Sequence, residues 1–276
     1  MPVEITDQLR HRIRSQFPAL SGTTVFLENA GGSQVPGVVA DRIHDYMLTS
    51  YVQLGASYPL SQRATQVVDE AHRFVELLFG GENGTAILGS STSALIEMLA
   101  HCYAQKLRPG QEIIIAETGH EANVGPWARL ERLGVAIRWW KVDPGTTTCS
   151  LDRLDDLLSD RTVLVALPHV SNLLGEIVDL EAITARCHAA GARVVADGVA
   201  FAPHRAMDVK RWNVDYYAYS CYKVYGPHMA ALWAKSDALA ELDGPNHFFI
   251  PDDELPYKFE IGGACHEGCA GILGLA

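Results

Sequence analysis

Residues 193–235, RVVADGVAFAPHRAMDVKRWNVDYYAYSCYKVYGPHMAALWAK, hold three apolar runs, at 193–196, 215–219 and 230–234, separated by polar turns. The runs are close to continuously apolar instead of alternating, as strands covered on both faces should be. The first run hands over directly to a carboxylate, Asp197. The second hands over to Ser220, Cys221, Tyr222 and Lys223. Working outward, the same kind of run recurs at 85–88, 112–116, 135–139 and 162–167. Between the runs, 93–105, 123–133, 151–158 and 180–190 carry apolar residues at helical spacing. Strands alternating with helices specify βα units, so the sequence predicts an α/β fold, a three-layer sandwich built on a mostly parallel sheet of about seven strands.

Two further helices are expected at 38–51 and 62–79, the second closed by Gly80-Gly81 as a C-cap. Near Asp243 the chain turns rich in Pro, Gly and Asp and loses its periodicity, which reads as a connector. The expected organisation is an N-terminal helical arm at 1–20, one large domain at 21–243, and at 244–276 a connector leading into an incomplete C-terminal domain. No internal repeat or low-complexity segment interrupts it.

Composition narrows the function. The 276 residues are 48% hydrophobic, enough for one large core. The 22 Lys and Arg against 33 Asp and Glu leave a net charge of -11, which repels a phosphate backbone and argues against nucleic acid as a partner. No run of 18 apolar residues is present, and the opening MPVEITDQLRHRIRSQF lacks the apolar centre of a signal peptide, so a cytoplasmic protein with no membrane partner is expected. Six cysteines without CxxC spacing indicate free thiols, neither a disulfide framework nor a metal site. No G-x-G-x-x-G or Walker loop follows a strand, which weakens a nucleotide-binding reading.

In open parallel sheets ligands bind beyond the carboxyl ends of the strands, so the residues just after each run carry the interest. Ser90, Ser91 and Thr92 stand where a strand meets a helix; the hydroxyls and the helix N-terminus suit a phosphate, and equally a plain N-cap. His120 follows the 112–116 run, with a flat ring suited to stacking or proton transfer; a lone His is also a common structural residue. Asp197 is either a structural carboxylate satisfied by loop N–H groups or the partner of a protonated ring nitrogen. Lys223 is either a snorkelling lysine or a partly desolvated amine with nucleophilic character. The four segments follow one another in chain order, each at the same edge of one predicted sheet.

Together these residues resemble the class V aminotransferase and cysteine desulfurase group of pyridoxal-5′-phosphate (PLP) enzymes of fold-type I, close to the cysteine desulfurases and selenocysteine lyases. The likeness extends over almost the whole chain. VFLENAGGSQVP at 25–36 resembles the family's strand and turn near the substrate, and GHEANVGPW at 119–127 the motif whose histidine lies over the ring. That likeness gives His120 the stacking role. LPHVSNLLGEIVDL at 167–180 brings Asn172 to the ring hydroxyl, and VVADGVAFAPHRAMDV at 194–209 makes Asp197 the pyridinium partner. YSCYKVYGPHMAALW at 219–233, the most specific match, makes Lys223 the Schiff-base lysine. Ser91 and Ser220 match phosphate-holding positions, with Ser90 and Thr92 beside them in the loop.

The resemblance implies PLP as cofactor, His120, Asp197 and Lys223 as catalytic residues, and a small amino acid as substrate. The implied chemistry is removal of sulfur from cysteine, with transamination, epimerisation or a non-catalytic dimerisation partner as alternatives. KFEIGGACHEGCAGILGL at 258–275 resembles a segment that reaches the partner subunit, which implies a homodimer. The pattern is departed from at Ala200, where Gln is common; at Tyr222, where desulfurases have His and which adjoins the cofactor; and at Gly263 and Cys265, where Thr and Asn are typical. The arginine for the substrate carboxylate and the mobile cysteine of the desulfurases are expected beyond residue 276.

Overall fold

Side chains along the central strands are buried whichever way they point, so the sheet is covered on both faces. A computed structural model describes residues 5–276. In chain order its elements are α1 (Asp7–Arg14), α2 (Gly37–Thr49), α3 (Pro59–Phe79), β1 (Gly84–Gly89), α4 (Thr92–Ala104), β2 (Glu112–Ala116), α5 (Gly125–Ala128), β3 (Ala136–Trp140), α6 (Leu151–Leu157) and β4 (Thr162–Pro168). They continue with α7 (Leu180–Ala189), β5 (Arg193–Asp197), α8 (Val209–Trp212), β6 (Tyr216–Ser220), β7 (Ala230–Lys235), α9 (Ser236–Ala240) and α10 (His266–Ile272). The seven strands form one sheet in the order β1-β7-β6-β5-β4-β2-β3. Pairings β2–β3, β2–β4, β4–β5 and β5–β6 are parallel and β1–β7 is antiparallel. The α/β class and all seven expected strands are present.

The chain divides into two compact units. One comprises 75–219 and 230–264, the other 1–74, 220–229 and 265–276. In the sheet-bearing unit, Ile113 and Ile115 of β2, Tyr216 and Ala218 of β6, and Leu232 and Ala234 of β7 pack with Leu95, Ile96 and Leu99 of α4. The intervening residues face the opposite layer. There Phe79 sets its ring edge-on to Tyr217 and Tyr219 and tilted against Trp233. Period-2 strands with both sets buried are what make a middle layer.

At the amino end of β6, Asp215 is fully buried. Its carboxylate accepts from Arg193 Nη1, His188 Nε2 and the Val194 N–H, each at 2.8 Å. Burial pushes its pKa up, but the His188 contact, the Val194 N–H and Arg193 together outweigh burial and hold it below the ordinary carboxylate value. The expected connector is ordered within the same unit. Asn246 Nδ2 donates to the carbonyls of Tyr257 and Glu260, Lys258 Nζ to the Ile250 carbonyl at 2.7 Å, and the Leu88 N–H to Glu260 Oε1 at 2.6 Å.

The other unit packs α2 against α10 so closely that a Cβ on Gly271 would lie 2.8 Å from Ile43 Cγ1. Of the expected N-terminal arm, residues 1–4 lie outside the described residues; α1 follows, capped by Thr6, whose hydroxyl accepts from the Leu9 N–H. Two expectations need correction. The helix expected at 123–133 is broken into a 3-10 turn at Glu121–Asn123, the single-turn α5 and a 3-10 turn at Arg129–Leu133. Pro126, which has no N–H to donate, sits at the start of α5 and interrupts a continuous helix. The strand implied at 25–36 is not formed: Val25 and Leu27 are 75% and 90% exposed, and no neighbouring strand among the described residues offers them a ladder.

Candidate functional site

Six of the expected site residues lie where the sheet-bearing unit's strands end or on the turns that follow. Ser91 caps α4: its hydroxyl oxygen accepts from the Ala94 N–H at 3.1 Å, and its O–H remains available to donate outward. Ser90 is exposed and Thr92 buried at the first helical position. The 13-residue α4 thus presents a hydroxyl cap and first-turn N–H groups, a donor set suited to an anion.

His120 is exposed and caps the turn 121–123, its Nδ1 accepting from the Ala122 N–H at 3.0 Å. An accepting Nδ1 puts the proton of the neutral imidazole on Nε2, which is left to face a ligand. Behind His120, Asn123 is buried. Its Nδ2 donates to the carbonyls of Leu167 and Val195, and its Oδ1 accepts from Trp127 Nε1 at 2.9 Å. One side chain therefore ties the His120 turn to β4 and β5.

Asp197 closes β5 with 5% of its surface exposed, and its Oδ1 accepts from the Val199 N–H at 2.9 Å. Gly198 is required beside it, because a Cβ there would fall 2.1 Å from the Tyr217 ring. The Asp197 carbonyl accepts from the His169 N–H at 2.8 Å, and the Ser171 hydroxyl donates to the Thr118 carbonyl at 3.1 Å, so the turns after β2, β4 and β5 are laced to one another. Asn172 lies exposed on the turn after β4.

His169 is buried under Asp197, stacked on Phe201 with centroids 3.9 Å apart, its Nδ1 2.9 Å from the Tyr217 hydroxyl. Burial pushes its pKa down to about 4, so the ring is neutral at pH 7. Burial, and after it the charge of Asp197, pushes the Tyr217 phenol well up. Because the unfolded chain binds a proton at His169 that the folded chain refuses, stability is fully present above about pH 6.5 and lost progressively as the pH falls to about 4. The loss is about 3 kcal/mol. Urea denaturation of the native chain and of His169→Gln across that window measures it; equal pH slopes for both proteins would refute the assignment.

The other unit carries Ser220, Tyr222 and Lys223 on the 3-10 turn that leaves β6. Ser220 is buried and Lys223 half-buried, its Nζ 5.8 Å from the centroid of the Tyr222 ring. Tyr222 stacks on His228, centroids 4.5 Å apart. Its carbonyl accepts from both the N–H and the hydroxyl of Ser33, whose Oγ in turn accepts from the Tyr225 N–H at 2.7 Å. Gly32 makes the approach possible, with φ of +143° and an added Cβ only 3.4 Å from Tyr222 Cδ2.

Four of the six lysines are engaged, Lys106, Lys210, Lys235 and Lys258. Among the described residues Lys141 and Lys223 make no ion pair or Nζ hydrogen bond, and Lys141 is exposed. Cys102 and Cys187 are buried thiols pushed up to about 12 mainly by burial, which makes them inert. Among the described residues no His, Cys, Asp and Glu are grouped to hold a metal ion. None of their helices is long and apolar enough to cross a membrane. Sequence reading passed over Asn123, His169, Ser33 and Tyr217; only His169, directly after β4, satisfied the post-strand criterion.

The sheet order, with polar groups at the carboxyl ends of its parallel strands, defines an α/β protein with a candidate ligand edge. The class-V aminotransferase model matches residues 25–249, and the chain belongs to that family. It is 41% identical to the aminotransferase-like protein FGM3 of Gibberella zeae, over 95% of this chain and 67% of FGM3. It is 34% identical to a cysteine desulfurase of Dickeya dadantii, over 96% of this chain and 68% of that one. The crystal structure of the Escherichia coli cysteine desulfurase CsdA superposes with a TM-score of 0.84 at 27% identity, covering 96% of this chain and 70% of CsdA. The chain spans about two thirds of the length of these relatives. The fold is that of the PLP-dependent fold-type I enzymes, and the family's cofactor is pyridoxal phosphate.

Proposed function

We propose that this chain is the cofactor-binding part of a PLP enzyme acting on a small amino acid, with desulfurase or selenocysteine lyase-like chemistry at the β-carbon. The observation that carries the reading is Asp197: a buried carboxylate at the carboxyl end of a central strand, held by the Val199 N–H. When bound, pyridoxal phosphate supplies an electron sink for charge developing at the substrate's α-carbon. Asp197 would keep the ring nitrogen protonated. The α4 cap, with Ser90, Ser91 and Thr92, would hold the phosphate, a role the family likeness also gives to Ser220. His120 would pack against the ring and offer its Nε2–H for proton transfer. Asn172 would donate to the ring hydroxyl, Tyr222 would shield the lysine, and the Lys223 amine would carry the cofactor and move the α-proton.

A homodimer in the cytoplasm is the proposed setting, supported by the likeness of 258–275 to the family's subunit-spanning segment. Identity of 41% to an aminotransferase-like relative favours transamination as the second reading. Incubation of the cofactor-loaded chain with L-cysteine and a reductant in deuterated water separates them. The proposed reading has this chain exchange the α-proton without forming a keto acid. Transamination yields a keto acid, and neither exchange nor product would remove both readings.

A further inference from the structure

A cavity of about 570 Å³ opens between the turn after β4 and the turn after β5, walled by Asn172, Leu174, Ala200, Phe201, His204 and Arg205 among others. Its size falls in the range of small-molecule sites, roughly 300–1,000 Å³. Its wall is continuous with the Asp197 turn: the Val199 N–H beside Ala200 binds the Asp197 carboxylate, and Phe201 stacks on His169, whose own N–H binds the Asp197 carbonyl. Ala200 contributes a single methyl group and leaves the cavity open.

The charge of this cavity opposes that of the protein. None of its lining residues is acidic, although the chain as a whole carries a net charge of -11. Glu176, the one carboxylate in the 170–177 turn, accepts with its Oε1 from the Cys149 N–H instead of lining the cavity. Asp179, just beyond, caps α7 through the Ala182 N–H. Among the described residues Arg205 makes no ion pair and no side-chain hydrogen bond, so its guanidinium is available to a ligand. A guanidinium with a free fork above apolar walls matches a carboxylate at the end of a short methylene chain.

We infer that this cavity receives the anionic end of the substrate side chain, so that the enzyme takes an amino acid ending in a carboxylate in preference to a neutral one, with Arg205 setting the preference. The inference rests on the PLP and amino-acid part of the reading above and departs from it in one respect, placing an acidic amino acid ahead of cysteine as the preferred substrate. Leu174 and Phe201 contact the methylene groups, and Arg205 neutralises the head group.

Calorimetric titration of the cofactor-loaded chain with L-aspartate and L-glutamate against L-asparagine and L-glutamine tests it. The acids should bind about tenfold or more tightly than their amides, the scale on which a charge-assisted hydrogen bond discriminates, and added salt should shrink the gap. Arg205→Gln should bring acid and amide to within about twofold, and Arg205→Lys should restore part of the preference. Ala200→Gln should weaken acid and amide alike by filling the cavity. Equal affinities in the native chain, or a preference untouched in Arg205→Gln, would overturn the inference. Borohydride labelling of Lys223 in the same preparations keeps the two readings apart. Label without discrimination sinks the cavity's role alone; discrimination without label upholds the anion site and sinks the enzymatic reading.

Discussion

Borohydride reduction of the chain after incubation with pyridoxal phosphate should fix one cofactor mass on the peptide carrying Lys223, and Lys223→Ala should retain none. The expectation follows from how the six lysines are occupied. Lys106 and Lys210 are held by Asp243 and Glu82, Lys235 by the Asn213 carbonyl, and Lys258 by Ile250 and Asp252. An ion-paired ammonium resists losing its proton, and the nucleophile is the neutral amine. Of the two unengaged lysines, Lys141 is exposed, whereas Lys223 is half-buried on a turn whose backbone Ser33 fixes. Non-specific labelling would favour Lys141. A label there, with Lys223 unmodified, would dismantle the functional reading.

Asp197→Asn should slow cysteine α-proton exchange by about two to four orders of magnitude, the range lost when a group governing proton placement is removed. The amide keeps the size of the carboxylate and can still accept from the Val199 N–H. It cannot hold a ring nitrogen protonated. Because the substitution removes a buried charge without removing volume, thermal stability should stay level or rise. The Tyr217 phenol, which the Asp197 charge pushes upward after burial, should ionise at lower pH. An unchanged exchange rate alongside that Tyr217 shift would leave Asp197 a structural residue.

The sheet was legible because its strands are buried on both faces: 112–116 is found in the structure with the expected ends, and the other runs shift by a residue or two. The turns after the strands were legible for the same reason, since a polar residue closing an apolar run stands out. The segments that local pattern does not settle depend on partners distant in the chain. VFLENA has strand composition, yet a strand forms only where another edge accepts its hydrogen bonds. The order at 244–264 rests on Asn246, Lys258 and Glu260 finding particular carbonyls and N–H groups, which no local pattern announces. Asn123 likewise looks like a helix-start residue until its bonds to β4 and β5 are seen. The departure at Ala200 was visible in the sequence, but the cavity beside it was not, because its walls come from two separate turns.

The bonds from Ser33 to Tyr222 and Tyr225 cross 189 and 192 positions of sequence. During synthesis the loop at 29–33 leaves the ribosome first and stays unsatisfied until residue 225 follows, an interval on the order of ten seconds or longer at ~5–20 residues per second. Closure of so long a loop carries an entropic cost, so this clasp is set only after strands β1 to β6 have been made. Lys223 therefore acquires its final geometry late in synthesis, shortly before β7 emerges to join β1 to β6, and a nascent chain released ahead of that point would lack both the set lysine and the closed sheet.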